Sequence, residues 1–371
     1  MSAKTVRSRR RRARWSCVAA AVLLAALLAP AARAARWNWS GTATLDYKNL
    51  PGAEAQDLTK AGAVLEWSLK STVDVSEKLS VTGRLCSACH GLTINNAYAE
   101  VHLAPLANFD AGRLEVPFGD YYQRHDPAND AFLSTPLPYA MGQMLRYQAD
   151  RFNLGVLPMP YVDEGAVLFG DHWIHDTLQI WYALYGVNGF QSSVARDFTF
   201  KNQLSDGGFS DNNDDLAWGG RLSLGKGPLT AGASYLRGVY DPAGQYDYDV
   251  WGVDASVFVR GVQLRGEYLV RGADVVADDG SVGILRKKGF YLQAESPTVR
   301  KISLVARLDG LLREGPSLGT DNDESSGIVR LTGGFSVTPS PEYSLRFQFE
   351  HWRFTDFDET NVLHFGVVTT Y

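Results

Sequence analysis

Period-two alternation is the feature that most restricts this chain. From Ala61 to Val75, the residues Ala61, Ala63, Leu65, Trp67, Leu69, Val73 and Val75 fall on one face of an extended segment. Glu66, Ser68, Lys70, Thr72 and Asp74 fall on the other. Val262, Leu264, Tyr268 and Val270 likewise oppose Gln263, Arg265, Glu267 and Arg271, and Tyr343, Leu345, Phe347 and Phe349 oppose Ser344, Arg346, Gln348 and Glu350. Charges interrupt every apolar run after residue 34, so no segment there has the roughly twenty apolar residues of a membrane helix. The chain reads as all-β.

A soluble sandwich alternates too, but the connections argue against one. Short turns ("GKGP", "RG", "SPTVR", "TPSPE") alternate with long polar loops at 189–215, 271–283 and 314–326. That asymmetry belongs to a transmembrane antiparallel barrel with tight periplasmic turns and long outer loops. Strands are expected at 37–47, 61–75, 78–86, 94–103, 107–117, 163–170, 176–187, 214–225, 228–240, 247–260, 262–273, 284–296, 300–312, 327–338, 342–354 and 361–371. The count is sixteen, an even number that returns both termini to the periplasm. Aromatic residues make up 12% of the chain, enough for interface girdles against outer-membrane lipid. The last strand ends on Tyr371, with Leu363, Phe365 and Val367 on its face, the aromatic ending that barrel-assembly machinery reads.

Residues 1–34 are set apart as a secretory signal peptide: a basic "MSAKTVRSRRRRARWSC", an apolar "VAAAVLLAALLAP" and a small-residue site at Ala32–Ala34. Thirteen apolar residues are too few to span a bilayer, and no lipobox precedes Cys17. The signal holds eight of the 36 basic residues and no acid, leaving 28 against 41, a net of −13. Such a balance excludes nucleic acid as a partner. Residues 35–371 are expected to form one barrel in the bacterial outer membrane, interrupted by a long inserted loop at 118–162. No Ser/His/Asp grouping or phosphate-binding glycine loop stands out, so no enzymatic site is expected.

The stretch "NNAYAEVHLAPLANFDAGRLEVPFGDYY" (95–122) resembles the phosphate-selective porin O and P superfamily, in which an "AY-E" strand is followed by a tight turn and a "G-R-x-x-V-P-F-G" strand. "LQIWYALYGVNGF" (178–190) is similar to a later strand of that family. The resemblance implies a sixteen-stranded pore, monomeric or a homotrimer. It does not imply phosphate selectivity, because the lysine-rich anion-binding segment is not recognisable here.

Both cysteines beyond the signal lie in one motif, Cys86-x-x-Cys89-His90, the attachment signature of c-type haem. In such a site the two thiols form thioethers and the histidine binds iron. Alternation turns Cys86 inward, with Lys78, Ser80, Thr82 and Arg84, and places "SACHGLT" at the outer end as a short loop or a segment tucked into the lumen mouth. A disulfide, a redox dithiol without its βαβ setting, and a metal site lacking its second ligand pair are the other readings. The proline-rich loop at 118–162 offers His125, Met141 and Met144 as a sixth ligand, Met/His ligation raising the potential. The expected function is therefore an outer-membrane porin carrying one covalent haem c. It would pass electrons between a periplasmic c-type cytochrome and the cell surface, a logic analogous to the fused cytochrome-porins of iron-oxidising bacteria. The alternative is a passive solute porin in which the motif is structural or a disulfide. Arg84, Lys70, Arg221, Arg265 and Arg346 are expected in the lumen, free or paired with Glu66, Glu100, Glu267 and Glu350.

Overall fold

The computed structural model describes residues 35–49, 62–88, 91–140, 155–175, 177–191, 211–276, 280–315, 326–355 and 358–371. The expected signal peptide, Cys89, His90, Met141 and Met144 lie outside the described residues.

Sixteen strands follow one another around a closed antiparallel barrel. They are β1 (Arg36–Asn49), β2 (Gly62–Ser76), β3 (Leu79–Ala88), β4 (Gly91–Ala104), β5 (Ala107–Glu115), β6 (Val162–Ile174), β7 (Leu178–Val187) and β8 (Ala217–Lys226). The second half comprises β9 (Leu229–Val239), β10 (Asp247–Val259), β11 (Val262–Val276), β12 (Val282–Glu295), β13 (Ile302–Glu314), β14 (Ser326–Ser340), β15 (Tyr343–Phe354) and β16 (Thr360–Thr370). Every strand pairs with its two neighbours, and β1 closes on β16 in the register Thr42↔Thr370 to Asn49↔Leu363. Closure matters because hydrocarbon offers no partner for an open edge.

The apolar faces point outward. Leu65, Val81, Leu184, Leu292, Leu304 and Leu331 are exposed, while the alternate Ser68, Thr82, Gln293, Arg307 and Thr332 are buried inside. Across the closing seam, Phe335, Phe347, Phe365 and Tyr47 stand opposite one another on β14, β15, β16 and β1. The phenylalanine rings meet at centroid distances of 4.9 Å. Near the periplasmic end, Trp37 and Trp39 stack at 5.2 Å.

Turns at the periplasmic end are tight. Arg260–Gly261 and Arg300–Lys301 both take positive φ at two successive residues, the backbone a two-residue hairpin needs to match strand twist. Two expectations are corrected. The sixth strand runs to Ile174, not 170, so His172, which lay between the expected strands 163–170 and 176–187, belongs to β6; its neighbour Trp173 is exposed. Within "SACHGLT" the described residues are strand: the β3–β4 ladder continues through Cys86↔Thr93, Ser87↔Leu92 and Ala88↔Gly91.

Candidate functional site: the bore and its inserted segment

The connection from Glu115 to Val162 does not rise over the rim. Its described parts, 116–140 and 155–161, fold into the barrel, and Val116, Phe118, Tyr121, Leu137, Tyr139, Val156, Leu157 and Tyr161 are all buried. An irregular segment inside a barrel has many backbone groups to satisfy, and the inward polar faces of distant strands supply the partners.

On β11, Glu267 accepts from the backbone N–H groups of Asp120 (3.0 Å) and Tyr121 (2.6 Å), and from the hydroxyls of Tyr291 (2.6 Å) and Tyr139. Gly119, at φ +70°, makes this approach possible: a β-carbon there would collide with the Glu267 carboxylate and the Tyr139 hydroxyl. On β13 and β14, Arg330 grips Asp309 with two bonds (3.0 and 2.5 Å) and donates to Thr135 O at 2.7 Å. Asp309 accepts from the Leu137 N–H at 2.9 Å. Arg307 donates to Ser134 O (2.7 Å) and lies 4.4 Å over the Phe132 ring. On β15, Arg346 holds Pro127 O (2.7 Å) and Phe132 O (3.3 Å), and Gln348 holds Leu133 N and Ala131 O. Glu350 accepts from the Ser134 hydroxyl, from Trp352 Nε1 at 2.9 Å, and from Arg330 at 3.3 Å. Removing one partner from such a buried ionic network leaves an uncompensated charge, which costs about 3–5 kcal/mol.

The segment also reaches the opposite wall. Arg84 on β3 meets Asp126 at 2.5 Å and Glu115 at 3.3 Å. Tyr122 lies 6.4 Å from Trp181 on β7. Burial pushes the Tyr122 phenol up to about 12, and raises those of Tyr121 and Tyr139 as well. The bore is thus narrowed from both sides.

Arg84, Arg221, Arg265 and Arg346 face inward as expected, but with other partners. Arg221 pairs with Asp254 (2.5 and 2.9 Å) and Arg265 with Glu295 (2.9 Å), while Glu267 and Glu350 serve the inserted segment. Asp309, Arg307 and Arg330 were missed by sequence reasoning; their inward alternation was the available signal.

Cys86 points into the bore, half-buried, on the same face of β3 as Arg84. His125 comes to the same place. Its Nδ1–H donates to Tyr122 O at 2.7 Å, a backbone bond of the kind that orients metal-ligating imidazoles. Its Nε2, however, accepts from Arg84 at 3.5 Å and lies 3.5 Å from Glu115. The described residues do not fit a haem as they stand: Cys86 to Ala88 are extended and paired, whereas thioether attachment turns the chain to bring two sulfurs to one porphyrin edge. The guanidinium also stands where an iron would need His125. Among the described residues, no group of three His, Cys, Asp or Glu side chains forms a metal cluster.

The sequence profile described as Gram-negative porin matches residues 19–309. Among solved structures, OmpT of Vibrio cholerae has 11% identity and a TM-score of 0.60, covering 91% of this chain and 98% of that one. An anion-selective porin from Comamonas acidovorans has 14% identity and a TM-score of 0.58, covering 91% and 100%. The outer membrane channel DcaP of Acinetobacter baumannii has 12% identity and a TM-score of 0.55, covering 91% and 97%. No curated protein matches the sequence.

Proposed function

This chain belongs to the Gram-negative porin family of the bacterial outer membrane, and on that premise we propose that it is a constricted diffusion channel for small hydrophilic solutes. The observation that carries this reading is the 116–140 part of the inserted segment, tied into the bore by Glu267, Asp309, Arg330 and Arg346. Loop and wall are cross-linked through buried charges, so the narrowing is a fixed feature of the barrel. Nothing in this arrangement activates a nucleophile or transfers a group; the chemistry available is sieving and electrostatics.

The test is conductance of the purified protein in planar lipid bilayers. Discrete, long-lived openings are expected, smaller after addition of polymers that enter the bore. A correctly folded barrel that never conducts overturns the reading.

A second reading is favoured by Cys86 facing the bore beside His125. In it, Cys86 and Cys89 hold one haem c, His90 binds the iron, and His125, Met141 or Met144 completes the set. The porphyrin would supply one-electron chemistry towards a periplasmic cytochrome. For it to hold, the hairpin end must leave its extended pairing and Arg84 must give up His125. A pyridine haemochrome spectrum, with peptide mass analysis across Cys86–His90, decides: a colourless protein with unmodified thiols removes it.

A further inference from the structure

The arginines of the bore are spoken for. Arg221, Arg265 and Arg330 are ion-paired at 2.9 Å or less, and Arg346 is turned onto carbonyls of the inserted segment. The carboxylates on the inner face of β2–β6 are in a different position. The register Asp74↔Ser80, Ser80↔Glu100 and Glu100↔Asp110 sets three of them at one level on β2, β4 and β5. On β6, Asp171 lies four residues, or two inward positions, beyond Val167, the partner of Asp110, on the periplasmic side of that level. Among the described residues no Lys or Arg forms an ion pair with these four, although Arg36 stands opposite Asp74 in the β1–β2 ladder; Asp74 meets Asn38 at 3.4 Å and Glu100 meets His102 at 3.5 Å. Asp110 Oδ1 is buried with no hydrogen-bond partner.

Aromatic faces flank this arc. Tyr98 stands opposite Gly112, Trp181 is opposite Asp171, and both rings are only partly buried. Ring faces beside carboxylates attract ammonium groups by ring quadrupole as well as by charge. We propose that the bore is selective for cations, organic ammonium ions included, and that Glu100, Asp110 and Asp171 set this selectivity. Uncompensated carboxylates along a low-dielectric passage raise the local cation concentration and repel anions. Lys70, exposed on the inward face of β2, opposes them but stands two inward positions nearer the outside than Asp74, opposite Arg84.

The inference rests on the channel reading, and one experiment separates the two. Reversal potentials are measured across a KCl gradient, at a pH above neutrality, for wild type and for Asp110→Asn/Asp171→Asn. The amide pair conserves shape, and retained electrophoretic mobility without boiling shows that the barrel has formed. Wild type is expected to pass K⁺ over Cl⁻ by about threefold or more, and the double variant to lose at least half of that preference. Replacing K⁺ by tetramethylammonium is expected to leave a current that Trp181→Leu reduces. Conductance with no preference or with anion preference overturns the inference while sparing the channel. An unchanged ratio in the double variant overturns the residue assignment. A current indifferent to Trp181→Leu removes the ammonium part, and absence of conductance removes both readings.

Discussion

Glu267 shows what one inward carboxylate does for a segment that is neither strand nor helix. Four donors converge on it, two from the backbone at Asp120 and Tyr121 and two phenols. Glu267→Gln replaces one acceptor oxygen by a donor facing donors, so buried N–H or O–H groups are left unpaired at about 1–3 kcal/mol each. The variant is expected to melt earlier in detergent and to give larger, noisier openings in bilayers as the segment loosens. The phenols carry a pH prediction. Tyr122 is pushed up to about 12 by burial, so between an unfolded pKa of about 10 and that value the folded state keeps a proton the unfolded state loses. Stability therefore falls as pH rises through this window, and channel noise should grow above about pH 10 in wild type but less in Tyr122→Phe. Alternation made Glu267 legible as an inward residue. Its partners were not legible, because Tyr121 and Tyr139 lie more than a hundred residues away and local pattern carries no such information.

At the scale of strands, the same alternation is a reliable guide wherever one face meets lipid and the other a polar bore, which is why all sixteen strands were recognisable. It misled at two places. Asp171–Ile174, between the expected strands 163–170 and 176–187, read as part of a turn, yet β6 continues there because the ladder to β7 runs on through Ile174↔Leu178. At the β3–β4 end, a motif whose chemistry wants a turn overrode Leu92, an exposed strand residue just before the expected strand at 94–103. The closing seam yields a prediction of its own. Phe365 packs its ring at a tilt against Phe347 and faces Tyr47 across β16–β1, so Phe365→Ala should lose about 0.5–1.5 kcal/mol beyond its area. The loss is read as a lower urea midpoint for barrels folded into vesicles. Gly41→Val is expected to be worse, because the Tyr371 ring fills the space above Gly41, while the Gly41 and Tyr371 backbones bond in both directions at 2.9 and 3.1 Å.

For the whole molecule, the lipid and the bore impose opposite rules on neighbouring positions, and that opposition is testable. Leu331 lies mid-strand in β14, exposed on the outer wall. Leu331→Arg puts a charge into hydrocarbon at a cost of about 2–4 kcal/mol near the midplane, so folding into vesicles should be measurably less complete, read as a smaller heat-modifiable fraction on electrophoresis. Lys70 also lies mid-strand, in β2, but faces water inside. Lys70→Glu reverses a charge without moving it into lipid, so folding should be unaffected while the reversal potential shifts towards cations. A barrel read with the wrong face outward would give the reverse pattern, with Lys70→Glu blocking insertion and Leu331→Arg altering current.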